Sequence, residues 1–227
     1  MKSFLLYSPL MTERRSNSLF EHPVIHDAWR RTKATVFGRP IHKLFPDIEE
    51  CLVRTSQLID EQARSPCLEV GGGRGEGSFT LVGKGLNVVT LEKSKSQCAL
   101  LRRRYPDLVV VRGDANRLPF KDQTFWTTNY REVIHHLKDP LQAMLEARRV
   151  SRESVITDVI ADNRRLVRWL QKIWLLVQDD RARLLDEREW KSLLKTAGAF
   201  ESTFVYGASI QYFLFAQVDW TAPAKKG

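Results

Sequence analysis

The sequence predicts an α/β fold: a mostly parallel sheet with helices on both faces, finished by an antiparallel hairpin and topped by a small helical cap. Three observations carry this. Short apolar runs alternate with helical patterns from residue 67 onward. Those runs are continuous in Val, Ile and Leu rather than alternating with polar residues, as strands covered on both faces require. The chain then ends on two strand-like runs around Gly207–Ala208–Ser209, the pattern of a hairpin.

The strands are "CLEV" (67–70), "NVVTLE" (87–92), "LVVVRG" (108–113), "FWTTNY" (125–130) and "SVITDVIA" (154–161). Helices are expected in "GSFTLVGKG", "SKSQCALLRRRY" and "DPLQAMLEARRV" between them. The last has Asp139 as N-cap and Pro140 at the first helical position, where a missing N–H costs nothing, with Leu141, Met144 and Leu145 falling on one face. "DEREWKSLLKTAG" (186–198) reads as a helix burying Trp190, Leu193, Leu194 and Ala197 and stopped by Gly198. Two more helical patterns lie outside the alternation. One runs through Ile48, Cys51, Leu52, Thr55, Leu58 and Ile59; the other through Leu166, Val167, Leu170, Ile173, Trp174 and Val177. One domain over 1–227 is expected, with 1–60 as an N-terminal helical cap and 162–185 as a cap insert.

Composition narrows the class. At 227 residues, with 43% hydrophobic content, six Trp and eleven Phe, a full core is available and wholesale disorder is excluded. Three cysteines far apart, with no CxxC spacing, speak against a disulfide framework or structural zinc and for a cytoplasmic protein. The opening "MKSFLLYSPLM" is too short an apolar run for a signal peptide, nothing later suits a membrane span, and Met11 is an alternative start to Met1. The net charge of +9 is spread as +2, +4 and +3 over residues 1–66, 67–161 and 162–227. A nucleic-acid binder concentrates its cations on one face. Only "LRRRY" (101–105) and "ADNRRLVR" (161–168) cluster, so nucleic acid is not the favoured partner.

The informative stretch is "CLEVGGGRGEGSF" (67–79), with five glycines in seven residues after an apolar run and an acid. The dinucleotide fingerprint GxGxxG fails, because its third glycine would fall on Glu76 or Ser78. The phosphate loop GxxxxGK[ST] fails at Ser78 and Gly85. What fits is acid-x-G-x-G-x-G through Glu69, Gly71, Gly73 and Gly75. Such a turn brings backbone N–H groups close to a ligand, while Glu69 repels a pyrophosphate and is suited to ordering the loop or attracting a cation.

With its downstream motifs, the chain over about 66–218 resembles the class I S-adenosylmethionine-dependent methyltransferases, especially the small-molecule branch with the ubiquinone/menaquinone C-methyltransferases. "LEVGGGRGEG" resembles their first motif, "VVTLEKS" the second, "VVRGDANRLPF" the third, and "FWTTNYREVIHHLKDP" the fourth-strand motif and the run after it. The fourth strand opens Phe125–Trp126 where the family commonly has Phe-Asp, and "LFEHPVIHDAWRRTKATVFG" departs from the quinone branch's N-terminal signature.

The resemblance implies a Rossmann-like class I methyltransferase fold and S-adenosyl-L-methionine as cofactor. It implies that Glu69, Gly71, Gly72 and Gly73 wrap the methionine part, and that Glu92, 19 residues after Gly73, accepts the ribose hydroxyls with Lys93 beside it. Asp114 would meet the adenine amine, Ala115 would give a backbone contact, and Asn129 would be a further cofactor contact. Tyr130, Arg131, His135 and His136 lie just after or at the end of strand four, on the edge where ligands bind in open α/β sheets. Of these, His135 and Tyr130 are the candidate catalytic or substrate-contacting groups.

Trp29, Phe37 and Phe45 from the N-terminal region, with Trp169 and Trp174 from the insert, are expected to line an acceptor pocket. Arg30, Arg31, Arg164, Arg165 and Arg168 stand near them. Aromatic walls suit a small aromatic or lipophilic acceptor. No metal is expected: His22 and His26 stand at helical spacing without a carboxylate–histidine set. The competing readings are a tRNA, rRNA or protein methyltransferase, and a non-catalytic binding protein of the same fold.

Overall fold

The computed structural model describes residues 57–178, 183–207 and 212–221. After a helical segment at 57–62 come β1 (Cys67–Val70), α1 (Glu76–Gly83), β2 (Val88–Glu92), α2 (Lys95–Arg104), β3 (Val109–Arg112) and β4 (Phe125–Arg131). A 3-10 turn (Ile134–His136) leads to α3 (Pro140–Val150), β5 (Ser151–Ile160), α4 (Arg165–Gln178), α5 (Glu187–Thr196), β6 (Phe200–Gly207) and β7 (Tyr212–Asp219). The expected N-terminal cap up to residue 56, with Trp29, Phe37, Phe45, Arg30, Arg31, the His22/His26 pair and Cys51, lies outside the described residues, as does the side chain of Trp174.

The seven strands form one sheet in the order β3-β2-β1-β4-β5-β7-β6. β1, β2, β3, β4 and β5 pair in parallel. β7 runs antiparallel to both β5 and β6, giving the expected terminal hairpin. From β1 the chain builds outward through β2 and β3, then returns to place β4 on the other side of β1. That reversal opens a crevice at the carboxyl ends of β1 and β4, where open α/β sheets bind ligands.

All four residues of β1 are buried because both sheet faces are covered. Leu68, Val70 and Tyr130 belong to the large core with Ile134, Met144, Ala147 and Trp190, contributed by the 3-10 turn, α3 and α5. On the opposite face Cys67 packs with Leu81 and Val88, while Ile59 packs with Val155 and Phe215.

The helix ends follow their local chemistry. Asp139 accepts from the Gln142 N–H at 3.0 Å. Asp186 and Glu189 form a reciprocal capping box on α5. Gly198, at φ +83°, closes α5: its N–H reaches Lys195 O and the Ala199 N–H reaches Leu194 O.

The structure refines three elements. The buried face of α3 is Ala143, Met144, Ala147 and Val150, while Leu145 is 39% exposed. Small alanines let the helix approach the sheet more closely than a leucine stripe would. β5 begins at Ser151 rather than 154, because its polar start is satisfied internally: Ser151 Oγ donates to Ala147 O and Glu153 accepts from Thr127 Oγ1. α4 turns Gln171 inward, where it accepts from the Asp162 N–H and donates to Ile160 O. Leu166, Leu170 and Ile173, which share the helical spacing, are exposed. The backbone groups leaving β5 need a polar partner, and Gln171 supplies both a donor and an acceptor.

Candidate functional site

The loop from β1 to α1 lies at the carboxyl edge of the sheet. Gly71, at φ +77°, passes so close to the 3-10 turn that a methyl group on it would come within 2.6 Å of Val133 Cγ2. A methyl on Gly72 would run into Thr90 Cγ2. At Gly73, by contrast, the nearest atom such a methyl would meet is Gly71 O at 3.8 Å. The loop is therefore packed on its inner side and leaves open space at Gly73, where a ligand can approach the backbone.

Glu92 closes this space from the end of β2. Its carboxylate accepts from the Gly73 N–H at 3.2 Å and the Ser94 N–H at 2.8 Å. Gln97 donates to Gly73 O at 3.3 Å, tying α2 to the same loop.

Asp114 follows β3 on the same edge. Its carboxylate accepts from the Asn116 N–H at 2.9 Å and from Lys93 Nζ at 2.7 Å. Partial burial pushes this carboxyl up, but the Lys93 ammonium and the Asn116 N–H together hold it below the usual aspartate range. Ala115 beside it is buried. The structure thus gathers Glu92, Lys93, Asp114 and the glycines along one edge, with Lys93 held by Asp114.

The β1–β4 side is arranged differently. Glu69 is buried, and its cation is the Arg131 guanidinium: Arg131 Nε donates to Glu69 Oε1 at 2.8 Å and Nη2 to Asp60 at 2.6 Å. This Asp60–Arg131–Glu69 array lies beneath α1, since a methyl on Gly77 would come within 2.8 Å of Arg131 Nε. Burial pushes the Glu69 carboxyl up, opposed by the guanidinium and the Asn129 amide.

Asn129, expected at the cofactor, is fully buried instead, its amide donating at 3.3 Å to both Glu69 Oε2 and Cys67 Sγ. It sits in register beside Glu69, inside the sheet rather than in the crevice. Tyr130, expected to be catalytic, is also corrected. Strand alternation points it into the large core, where its hydroxyl donates to Ala143 O at 3.3 Å and burial pushes its ionisation up.

His135 lies in the 3-10 turn, its Nδ1 2.5 Å from Asp158 Oδ1 and its ring 3.9 Å from that of His136. On α4, Trp169 is 58% exposed. The guanidiniums nearby are paired: Arg164 with Asp162 at 2.8 Å and Arg168 with Asp186 at 3.1 Å.

Sequence reasoning missed Asp60 and Asp158. Asp158 carried a signal, a single carboxylate inside the apolar run "VITDVI". Asp60 carried none, because its partner stands 71 residues away.

A ligand with a ribose and a nucleobase suits this edge. The carboxylates of Glu92 and Asp114 are acceptors to which hydroxyl or amine groups can donate, and the space at Gly73 lies beside backbone N–H groups. Residues 68–156 match the family described as "Methyltransferase domain". The chain is 30% identical over 146 residues to a ribosomal RNA small subunit methyltransferase A of a Synechococcus strain, covering 62% of this chain and 46% of that one. It is 33% identical over 85 residues to a demethylmenaquinone methyltransferase of Renibacterium salmoninarum, covering 37% and 36%. The matched region thus spans less than half the length of either relative. Among solved structures, an S-adenosylmethionine-dependent methyltransferase of Thermotoga maritima superposes with a TM-score of 0.60 at 20% identity, over 85% of this chain and 100% of that one. A geranyl diphosphate methyltransferase solved with GPP and sinefungin gives 0.62 at 12% identity, over 74% and 77%. Residues 68–156 thus match a methyltransferase domain, with the glycine loop, Glu92 and Asp114 on the carboxyl edge of a fold shared with solved S-adenosylmethionine-dependent methyltransferases.

Proposed function

We propose that the protein transfers the methyl group of S-adenosylmethionine to a small aromatic or lipophilic acceptor. The observation that carries this is the single array of the glycine loop, open at Gly73, with Glu92 and Asp114 along one sheet edge. The cofactor supplies an activated methyl on a sulfonium, so the transfer is an in-line displacement. What remains for the chain is to orient and to exclude water. Gly71 to Gly73 give the methionine part a close backbone, Glu92 fixes the ribose by its two hydroxyls, and Asp114 and Ala115 set the base. The region after β5, with Trp169, is assigned to shaping the acceptor pocket.

The demethylmenaquinone methyltransferase relatives support a small acceptor. The ribosomal RNA methyltransferase relative, whose match covers more of this chain, supports RNA as a second reading. Against RNA stands the use of the clustered cations. Arg102 donates to Val110 O, Arg104 pairs with Glu76, Arg164 with Asp162 and Arg168 with Asp186. These four are already engaged by the protein itself. The RNA reading requires affinity for an rRNA fragment that falls steeply with salt.

Calorimetry tests the cofactor assignment. Wild-type protein binds S-adenosylmethionine, and Glu92→Ala, which removes a charged acceptor worth about 1.5–3 kcal/mol, weakens binding roughly 10- to 100-fold. Absence of binding to the wild type overturns both readings.

A further inference from the structure

We propose that the outward face of α4 docks on an anionic lipid surface, with its apolar stripe in the headgroup layer and its bordering cations against the lipid charges. The contact stands independently of the methyltransferase reading.

Seven large apolar side chains are exposed among the described residues, and four of them lie on α4: Leu166, Trp169, Leu170 and Ile173. Their positions, three, four and seven residues on from Leu166, put all four on one helical face. Leu166 and Trp169 keep 69% and 58% exposed, more than any other large apolar side chain described. The opposite side is fixed. Gln171 is buried and bonded to the Asp162 N–H and Ile160 O, so the stripe turns inward only by breaking both bonds. A continuous apolar stripe held outward in this way marks a binding surface.

Charge selects the occupant. The sequence of α4, "RLVRWLQKIWLLVQ", holds no acidic residue. Arg165 precedes Trp169 by one turn and Lys172 follows it by one, so two exposed cations border the stripe on the Trp169 side. Arg168, turned further inward, is held by Asp186. The chain's own residues 1–56 carry nine basic and six acidic groups, and a second copy brings a net charge of +9, so neither is an anionic complement. RNA phosphates would meet the cations but leave the four apolar side chains in water. An anionic bilayer supplies both halves, an acyl boundary for the stripe and headgroup charge for the cations.

The contact is one of lying on the surface. No helix among the described residues is long and apolar enough to cross a membrane, and the 14 residues of α4 extend about 21 Å. Trp169, between the apolar stripe and the cations, holds the position that an indole takes at a membrane–water interface. α4 starts just beyond Ile160 at the carboxyl edge of the sheet, the edge that carries the crevice. On the methyltransferase reading, the docked bilayer is also the phase in which a lipophilic acceptor dissolves.

The test sediments the full-length protein, without cofactor, with phosphatidylcholine vesicles made with or without phosphatidylglycerol. The expected result is binding to the anionic vesicles only, lost at about 1 M salt, where the screening length is about 3 Å. Arg165→Gln and Lys172→Gln each lower the partition coefficient about fivefold. Leu166→Gln and Ile173→Gln each lower it roughly tenfold. Val109→Gln, at a comparably exposed apolar site on β3, leaves it unchanged. All five sites are exposed, so thermal unfolding of each variant should match the wild type. Failure of the wild type to bind anionic vesicles overturns the proposal, whatever the variants do. Binding that Leu166→Gln and Ile173→Gln leave intact overturns it too, since net charge alone would then account for adsorption. A dimer in lipid-free solution that Ile173→Gln dissociates assigns the stripe to a second copy. An rRNA fragment bound through Arg165 and Lys172, with vesicles ignored, assigns the cations to RNA. Either result overturns the lipid contact. Calorimetry with S-adenosylmethionine on the wild type reports the methyltransferase reading separately, so the two can fail independently.

Discussion

The two halves of the crevice are built on opposite plans. On the β2–β3 side, Glu92 and Asp114 are partly exposed, bonded to N–H groups of neighbouring loops, and aimed at the edge. On the β1–β4 side, Glu69, Arg131 and Asp60 are drawn under the loop and face one another. The first side leaves its polar groups at the open edge of the sheet. The second uses them to hold the floor on which the ligand loop rests. A carboxylate at a strand end thus serves either role, and the deciding variable is burial: Glu69 is enclosed with its cation, whereas Asp114 and Lys93 stay partly exposed.

The largest effect should come from breaking the buried side. Arg131, Glu69 and Asp60 keep 16%, 4% and 11% of their side-chain surface exposed. Arg131→Met leaves Glu69 without its cation and Asp60 with only Lys84 at 3.9 Å, a loss of about 3–5 kcal/mol in urea unfolding. The pH dependence has a defined sign. Burial already holds the Glu69 carboxyl up, and without the guanidinium it rises further. A group with a raised folded pKa contributes stability at low pH that is lost as pH rises through that value. The gap between wild type and Arg131→Met should accordingly narrow as pH falls from neutrality toward about 5. A small gap, or one that does not change with pH, would show that the array is ornamental.

A smaller effect is expected at the loop itself. Gly72→Ala drives a methyl into Thr90 Cγ2 and to 3.1 Å from Leu101 Cδ1. Such overpacking costs about 1–3 kcal/mol. Because the strain is relieved by lifting the loop from Glu92, S-adenosylmethionine affinity should fall alongside thermal stability. Gly83→Ala is the control: nothing lies within 4 Å of its added methyl, and at the end of α1 it should leave both quantities unchanged or raise stability by up to about 1 kcal/mol. Equal losses in the two variants would remove the loop from the explanation.

How much of this was legible in the sequence follows the same division. The strands, the hairpin and the α5 stop were readable because each depends on a local pattern: Val-rich runs, Gly198, Asp139 followed by Pro140. Glu92 and Asp114 were readable because their positions are set by strand ends a short chain distance from the glycine loop. Asn129 and Tyr130 were misplaced because adjacent strand residues point to opposite faces. Neither face at that point is the crevice: Asn129 turns toward Glu69 and Tyr130 toward Ala143. The outward leucines of α4 escaped for a related reason. Helical spacing identifies an apolar stripe but not which side docks, and Gln171 decided that by meeting the backbone groups after β5. The Asp60–Arg131 bond spans 71 residues and the His135–Asp158 bond 23, distances over which no local pattern signals a partner.

The smallest effect tests the exposed side. Lys93 keeps 77% of its side-chain surface exposed and Asp114 29%, so solvent screens their attraction despite the 2.7 Å contact. Lys93→Ala should cost no more than about 1 kcal/mol. Its signature lies in acid. Asp114 is held below the usual aspartate range, so its contribution to stability is present at neutral pH and lost as pH falls through the lowered value. Without Lys93 that value moves back up, and the acid limb of the unfolding curve should begin at slightly higher pH, with the neutral plateau nearly unchanged. The remaining bond from the Asn116 N–H should keep the shift small. A loss at neutral pH approaching that of Arg131→Met would mean that Asp114 is buried in function like Glu69, and the contrast between the two sides of the crevice would fail.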